Sequence, residues 1–308
     1  MASGQFDHCD LLHTTKPKGK SRLGGRIIKG CGFLMKVTAL APAMGAEVTN
    51  VDLSAAHDDG LIAELRAVWL EYQMIVIRGQ DITPAQQLAF ASAIGDPDIY
   101  PFLTGLDGFP MITEVLKKEN EKVNFGGIWH SDTTYQKCPP MATLLYAKEL
   151  PPLGGDTLFA SQYDAYDQLS DSLRAVLVGL CAVNAAGKKR VASTRSERLK
   201  DSGNGVDPDA LVGIHPVVRT HPETGRKALF VNAAHTVAFD GWSEEESRGL
   251  LDYLFTHQIS PEFQCRLRWQ VGDVAFWDNR CVQHYPLNDY HGYRRLLHRI
   301  TLKGDVPV

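Results

Sequence analysis

The sequence predicts a mainly β fold with flanking helices, arranged as a double-sheet jelly roll, and three observations carry that expectation. Short runs that alternate apolar and polar residues fill the second half of the chain, separated by turn-forming clusters. Helical periodicity is confined to a few segments. Strands and helices do not follow one another in the βαβ rhythm of a parallel sheet. A chain of 308 residues, 44% of them hydrophobic, is long enough to bury one substantial core.

Residues 1–34 are rich in Gly, Lys, Arg and Ser and read as a flexible leader. Lys16, Lys18, Lys20, Arg22, Arg26 and Lys29 would suit a targeting peptide, whereas Asp7 and Asp10 fit a disordered extension or a misplaced start codon. The remainder, 35–308, reads as a single domain. Segment 36–53 predicts two short strands around Gly45, 59–72 an amphipathic helix and 74–79 a buried strand. Thr83-Pro84 opens a second helix, with Gln86 placed for a capping box and Gly95 closing it. Strands follow at 141–148, 157–161 and 215–220, the last paired with 227–232, and then at 264–270, 273–278 and 293–302. One helix is expected near 163–180 and another after Ser243, with Glu246 as its capping partner. The polar stretch 187–212 predicts a mobile loop, either a lid or a solvated insertion.

A formal net charge of -4 gives no basic field for nucleic acid or an anionic membrane, so a small-molecule site is the expected binding feature. The six cysteines lack CxxC pairs and regular spacing, which suits free thiols in a reducing compartment. With no apolar run long enough to span a bilayer and no apolar core to the N-terminus, the expected location is cytoplasmic. A homo-oligomer stays open.

Two imidazoles and a carboxylate on one face of a metal leave positions for a bidentate cosubstrate and O2. An H-x-D in extended conformation suits this, since residues i and i+2 point to one side of a strand. Three such triplets occur: His8 with Asp10, His57 with Asp59, and His130 with Asp132. The first lies in the leader and the second in a polar stretch opening a helix, whereas the third comes with a partner, since His284 follows the apolar run VAFW where a late strand could return to it. In YRRLLHRITL, Arg295, Leu297, Arg299 and Thr301 share one strand face, so the arginines stand roughly 13 Å apart and could bind two anions. A pair of surface charges on an edge strand is the alternative.

These residues resemble the taurine and 2,4-dichlorophenoxyacetate dioxygenase family of Fe(II), 2-oxoglutarate-dependent oxygenases. The resemblance runs from about Met35 to the C-terminus through WHSDTTY at 129–135, PPMATLLYAKELPPLGGDTLFAS at 139–161, LFVN at 229–232, and WDNRCVQHY with YRRLLHR at 277–299. It implies the double-stranded β-helix form of the jelly roll, and iron ligation by His130, Asp132 and His284. It further implies that Thr157 and Arg295 hold the distal carboxylate of 2-oxoglutarate, that O2 is the oxidant, and that Arg299 holds an anionic substrate. Phe102 falls where taurine enzymes carry a sulfonate-contacting histidine, and Gly126 where they carry a pocket asparagine. An apolar, roomier clamp points away from taurine and toward aryloxyalkanoate-type members, with Phe102 facing the substrate. The implied reaction is hydroxylation of a small carboxylate, aryloxyalkanoate or sulfonate, with bond cleavage where the hydroxylated carbon carries a heteroatom. A cupin-like metal-binding module, a zinc hydrolase, or a family oxygenase performing desaturation or cyclisation are the other readings.

Overall fold

The structure, a computed structural model, describes residues 25–30, 33–56, 58–187, 207 and 210–308. Most of the expected leader and nearly all of the expected loop at 187–212 lie outside the described residues. The leader boundary needs correction even so. Strand β1 (Arg26–Gly30) already pairs antiparallel with β2 (Phe33–Ala39), the β-branched pair Ile27-Ile28 suiting an edge strand of the sheet.

From there the chain forms β3 (Ala46–Thr49), α1 (Asp59–Tyr72), β4 (Met74–Ile77) and α2 (Pro84–Ile94). The short strands β5 (Pro97–Asp98) and β6 (Gly105–Leu106) lead into β7 (Phe109–Lys117). After the segment carrying His130 come β8 (Ala142–Glu149), β9 (Thr157–Ser161), α3 (Gln162–Asp167), α4 (Asp171–Leu177) and β10 (Cys181–Ala185). The last part holds β11 (Val212–Pro216), β12 (Val218–Thr220), β13 (Lys227–Leu229), β14 (Thr236–Phe239) and α5 (Glu244–His257). It ends with β15 (Gln264–Leu267), β16 (Val274–Asp278), β17 (Val282–Pro286) and β18 (Arg295–Leu302).

Local signals set several of these boundaries. Asp58 caps α1 by accepting from the Leu61 amide, and both expected capping boxes form, Thr83 with Gln86 and Ser243 with Glu246. The single helix expected near 163–180 is two short ones, because Ser170 starts a new N-cap for α4. The strand expected at 215–220 is also divided. Residues 215–216 pair with β10, and only β12 forms the hairpin with β13.

The main sheet has the order β1-β2-β3-β4-β16-β8-β18-β7-β6, with β5 on β18. Its central strand β16, VAFWD, is buried throughout, as a strand covered on both faces must be. Side-chain alternation separates the two faces. Val274, Phe276, Leu144, Tyr146 and Ile300 join Leu65, Trp69, Phe90 and Ile94 of α1 and α2 in one core. Ala275, Trp277, Leu145, Ala147 and Leu297 point the other way, against Phe159, Cys265, Leu267 and Val282 of the smaller sheet β15-β9-β17. The candidate site lies at this second interface. Among the described residues no helix is long and apolar enough to cross a membrane.

Candidate active site and metal centre

His130 and His284 come together through the backbone. The two residues form an antiparallel bridge, with the His130 N–H donating to the His284 carbonyl at 3.1 Å and the reverse bond at 2.8 Å. Their ring centroids are 4.1 Å apart. Trp277 packs 4.6 Å from the His284 ring and Phe159 stacks on it, so the imidazole is held by β16 and β9. The His130 Nδ1–H donates to the Ile128 carbonyl at 2.6 Å, which leaves Nε2 with its lone pair. That nitrogen lies 3.7 Å from Asp132 Oδ1. One nitrogen or oxygen from each of His130, Asp132 and His284 falls within 4.8 Å of the others.

The geometry differs from the strand on which the H-x-D argument rests. Only His130 is bridged; Asp132 sits in the turn that follows, and Thr133 has φ of 43°, a left-handed conformation that a β-branched residue adopts at a cost of roughly 1–3 kcal/mol. A hydrogen-bond chain fixes the carboxylate instead. The Trp277 indole donates to Asn279 Oδ1 at 3.0 Å, Asn279 Nδ2 donates to Thr143 Oγ1 at 3.0 Å, and the Thr143 hydroxyl donates to Asp132 Oδ2 at 2.5 Å. Arg299 Nη2 stands 2.9 Å from the other oxygen, Oδ1. Burial pushes the Asp132 pKa up, but Arg299, the two imidazoles and the Thr143 bond together hold it far below the usual carboxylate range. Burial first, and the neighbouring His130 next, push His284 well below its ordinary value, so its imidazole is poised neutral for a cation.

The cavity beside these groups is lined from both sheets, by Thr157 of β9, His284 of β17, Leu145 of β8 and Arg295, Leu297 and Arg299 of β18. Arg295 and Arg299 therefore do share a face, and both are buried, which removes the edge-strand alternative. Among the described residues the Arg295 guanidinium has no hydrogen-bond partner at Nε or Nη2. Burial lowers its pKa, with Tyr290 and Asp156 opposing. Gly155, at φ of 71°, lets the backbone pass so close that a Cβ there would lie 3.2 Å from Arg295 Cδ. Thr157 accepts from the Trp269 indole at 3.0 Å, leaving its own hydroxyl proton for another acceptor.

Phe102 does not line this cavity. It packs among Tyr100 and Tyr135 in a small aromatic cluster, and Tyr100 is the ring that carries the Arg299 guanidinium, Cζ 4.5 Å from its centroid. The expected substrate contact is therefore corrected: Phe102 supports the layer behind the arginine. Gly126 does line the cavity, with φ of 76°, and a Cβ there would lie 3.0 Å from His130 Cε1. Glycine and asparagine are the residues best suited to that left-handed position.

Sequence reasoning missed Thr143, Asn279, Trp269, Tyr290 and Lys117. Strand alternation around Asp132 and the VAFWDN run placed the first two within reach, but nothing in spacing alone marks a partner of a carboxylate. Other buried histidines have partners of their own: His215 bonds the Gln136 carbonyl, His235 the Thr134 hydroxyl and His221 Asp278. A second grouping, His221 with Asp278 and Cys281, also brings metal-binding atoms together. Its carboxylate is already satisfied by Arg280, through bonds of 2.8 and 2.7 Å, so it reads as an internal ion pair.

Two imidazoles and one carboxylate, facing a cavity with a buried guanidinium that has no ion pair among the described residues, form the donor set of a non-haem iron oxygenase. Comparison with known proteins agrees. Residues 36–301 match the family described as Taurine catabolism dioxygenase TauD, TfdA family, and the chain belongs to that family. A Pseudomonas putida α-ketoglutarate-dependent sulfate ester dioxygenase is 32% identical over 282 residues, 89% of this chain and 91% of that protein. The α-ketoglutarate-dependent 2,4-dichlorophenoxyacetate dioxygenase of Cupriavidus pinatubonensis is 33% identical over 285 residues, 87% and 98% of the two chains. A solved structure, a putative α-ketoglutarate-dependent taurine dioxygenase from Burkholderia xenovorans, superposes with a TM-score of 0.76 at 35% identity, covering 89% of this chain and 91% of that one. The protein is thus an α-ketoglutarate-dependent dioxygenase, an oxidoreductase that uses Fe(II), 2-oxoglutarate and O2.

Proposed function

We propose that this enzyme hydroxylates a small organic anion, a carboxylate, aryloxyalkanoate or sulfonate, and releases a cleaved product where the hydroxylated carbon bears a heteroatom. In this reading His130, Asp132 and His284 hold the iron, Arg295 and Thr157 hold the distal carboxylate of 2-oxoglutarate, and Arg299 receives the anionic group of the substrate. Iron, 2-oxoglutarate and O2 supply the oxidising equivalent, with succinate and CO2 as coproducts. The chain's own share is placement: β18 sets two guanidiniums at fixed distances along one wall, and the apolar residues Leu145, Leu297 and Trp277 keep water out between them. The two facing sheets fit a double-stranded β-helix, and the buried free thiols Cys265 and Cys281 fit a cytoplasmic enzyme.

The observation that carries the reading is Arg295. A cation buried in a cavity without a carboxylate partner is costly unless an anion fills the cavity. A hydrolase or cupin-like module has no use for that anion beside its metal. The test is twofold. Anaerobic protein given Fe(II) and 2-oxoglutarate should develop a visible metal-to-ligand charge-transfer band. A panel of carboxylates, aryloxyalkanoates, sulfonates and sulfate esters, scored by substrate-dependent succinate release, should then identify the class. No band from folded, iron-loaded protein would overturn the assignment of these residues.

A further inference from the structure

Lys117 closes strand β7 and is buried to 2% exposure, yet its Nζ has no hydrogen-bond partner and no ion pair among the described residues. It lines the same cavity as the metal-binding trio. In the antiparallel pairing of β7 with β18, Lys117 stands directly opposite Arg295, Val115 opposite Leu297, and Thr113 opposite Arg299. Residues opposite each other share a sheet face, so Lys117 joins Arg295 on the cavity wall and is remote from Arg299, four residues along the strand, roughly 13 Å. Both cations lie beside the Tyr290 ring, Lys117 Nζ at 4.3 Å and Arg295 Cζ at 5.9 Å from its centroid.

Two like charges directly across a sheet repel each other, and burial strengthens the repulsion. Asp156 and Asp289 offset part of it from a distance, but neither forms an ion pair with Arg295 or Lys117 among the described residues. Asp156 is engaged by Arg266 at 2.7 Å, and Asp289 accepts from the Gly155 amide at 2.8 Å. The pair therefore suits an anion that the described residues do not provide.

We propose that Lys117 supplies the second positive charge of the cradle for the distal carboxylate of 2-oxoglutarate, acting with Arg295 across the β7–β18 pair. This rests on the reading that Arg295 receives that carboxylate. A carboxylate has two oxygens and about four acceptor positions, enough for a lysine, a guanidinium and the Thr157 hydroxyl at once. The arrangement selects a five-carbon 2-oxo diacid over a 2-oxo monoacid by charge at its far end.

Calorimetric titration of the Mn(II)-loaded enzyme, with 2-oxoglutarate and separately with pyruvate, tests this without turnover. Pyruvate keeps the 2-oxo acid end and lacks the distal carboxylate. Lys117→Met should lose about tenfold or more in affinity for 2-oxoglutarate, about 1.4 kcal/mol per decade, and change little toward pyruvate. Because a buried unpaired cation is removed, the melting temperature of the unliganded variant should not fall. Lys117→Gln serves the same comparison if the methionine variant does not fold, and Lys117→Arg should recover part of the affinity. Unchanged 2-oxoglutarate affinity in Lys117→Met, or an equal loss for both ligands, overturns the proposal. Arg295→Met separates the two levels. Wild-type protein that fails to prefer 2-oxoglutarate over pyruvate would sink the Arg295 reading itself. A preference lost in Arg295→Met but kept in Lys117→Met would sink only the role of Lys117.

Discussion

Replacing Thr143 by valine removes one hydroxyl from a fully buried position while keeping the shape of the side chain. That hydroxyl donates to Asp132 Oδ2 at 2.5 Å and accepts from Asn279 Nδ2 at 3.0 Å. A hydrogen bond to a charged acceptor is worth about 1.5–3 kcal/mol, which converts to roughly tenfold to a hundredfold in an equilibrium constant. The same range is typical when a group that orients a metal-binding residue is lost. Without the bond, Asp132 keeps only Arg299 at its other oxygen and can rotate toward that guanidinium, away from the imidazoles. Fe(II) affinity should therefore fall by about 10–100-fold. The stranded Asn279 amide adds about 1–3 kcal/mol of destabilisation, visible as a melting temperature lower by a few degrees. The assay is an anaerobic Fe(II) titration at saturating 2-oxoglutarate, followed by the charge-transfer band, with Thr143→Ser as the variant that restores the hydroxyl. Wild-type Fe(II) affinity in a thermally weakened Thr143→Val would refute the reasoning, since it would show that the hydroxyl stabilises the fold without orienting the carboxylate.

Three further outcomes follow from other parts of the molecule. Burial raises the Asp278 pKa, but Arg280 and His221 outweigh it and hold the carboxyl far below its ordinary value; Glu223 is also lowered, by Arg280 and Arg66 against burial. Depressed folded pKa values contribute stability above the unfolded carboxylate pKa of about 4 that is lost only as pH falls through the folded values. Wild-type protein should thus owe part of its acid resistance to this cluster. Arg280→Met, which leaves Asp278 buried without its cation, should cost about 3–5 kcal/mol at neutral pH and move the acid-unfolding midpoint upward, as followed by circular dichroism. An unshifted midpoint would remove the cluster from the account. Burial pushes the Cys265 thiol up to about 12 and Cys281 well above its usual value, whereas Cys138 is exposed. Mass-mapped iodoacetamide labelling at pH 8 should mark Cys138 in the folded protein and reach Cys265 and Cys281 only after denaturation. At Gly126, asparagine should lower the melting temperature less than valine, because the left-handed backbone there admits asparagine more readily. Equal losses would mean that backbone conformation is not what reserves the position.

The fold was legible where a signal is local. Helix α1 occupies the span expected from periodicity, and the capping boxes of α2 and α5 sit on the residues that announce them. The strands β8, β9, β16 and β18 were visible because their apolar runs are bounded by turns. Others were not, β7, β10 and β14 among them. β7 (FPMITEVLK) mixes a proline and two charged residues into its alternation, and β10 and β14 are short segments whose pairing with each other is defined only in three dimensions. Their partners lie about fifty residues apart, so no window along the chain contains both sides of the ladder.

The site was legible in its residue types and misread in its geometry, and the difference has one cause. Extended H-x-D explains why His130 and Asp132 could face one metal, but the chain reaches the same result with a bridge at His130, a left-handed Thr133 and a carboxylate held by Thr143. Likewise the alternation of β18 correctly put Arg295 and Arg299 on one wall, yet it could not tell that they differ. Arg295 faces the cavity with no ion pair among the described residues and with Lys117 across the sheet, whereas Arg299 stands 2.9 Å from Asp132. Removing Arg299 therefore deprives the carboxylate of its cation and, on the proposed reading, the substrate of its anchor. Arg299→Ala should weaken Fe(II) binding along with substrate binding, and a rise in substrate KM with unchanged Fe(II) affinity would show that the ion pair gives way when the metal is present.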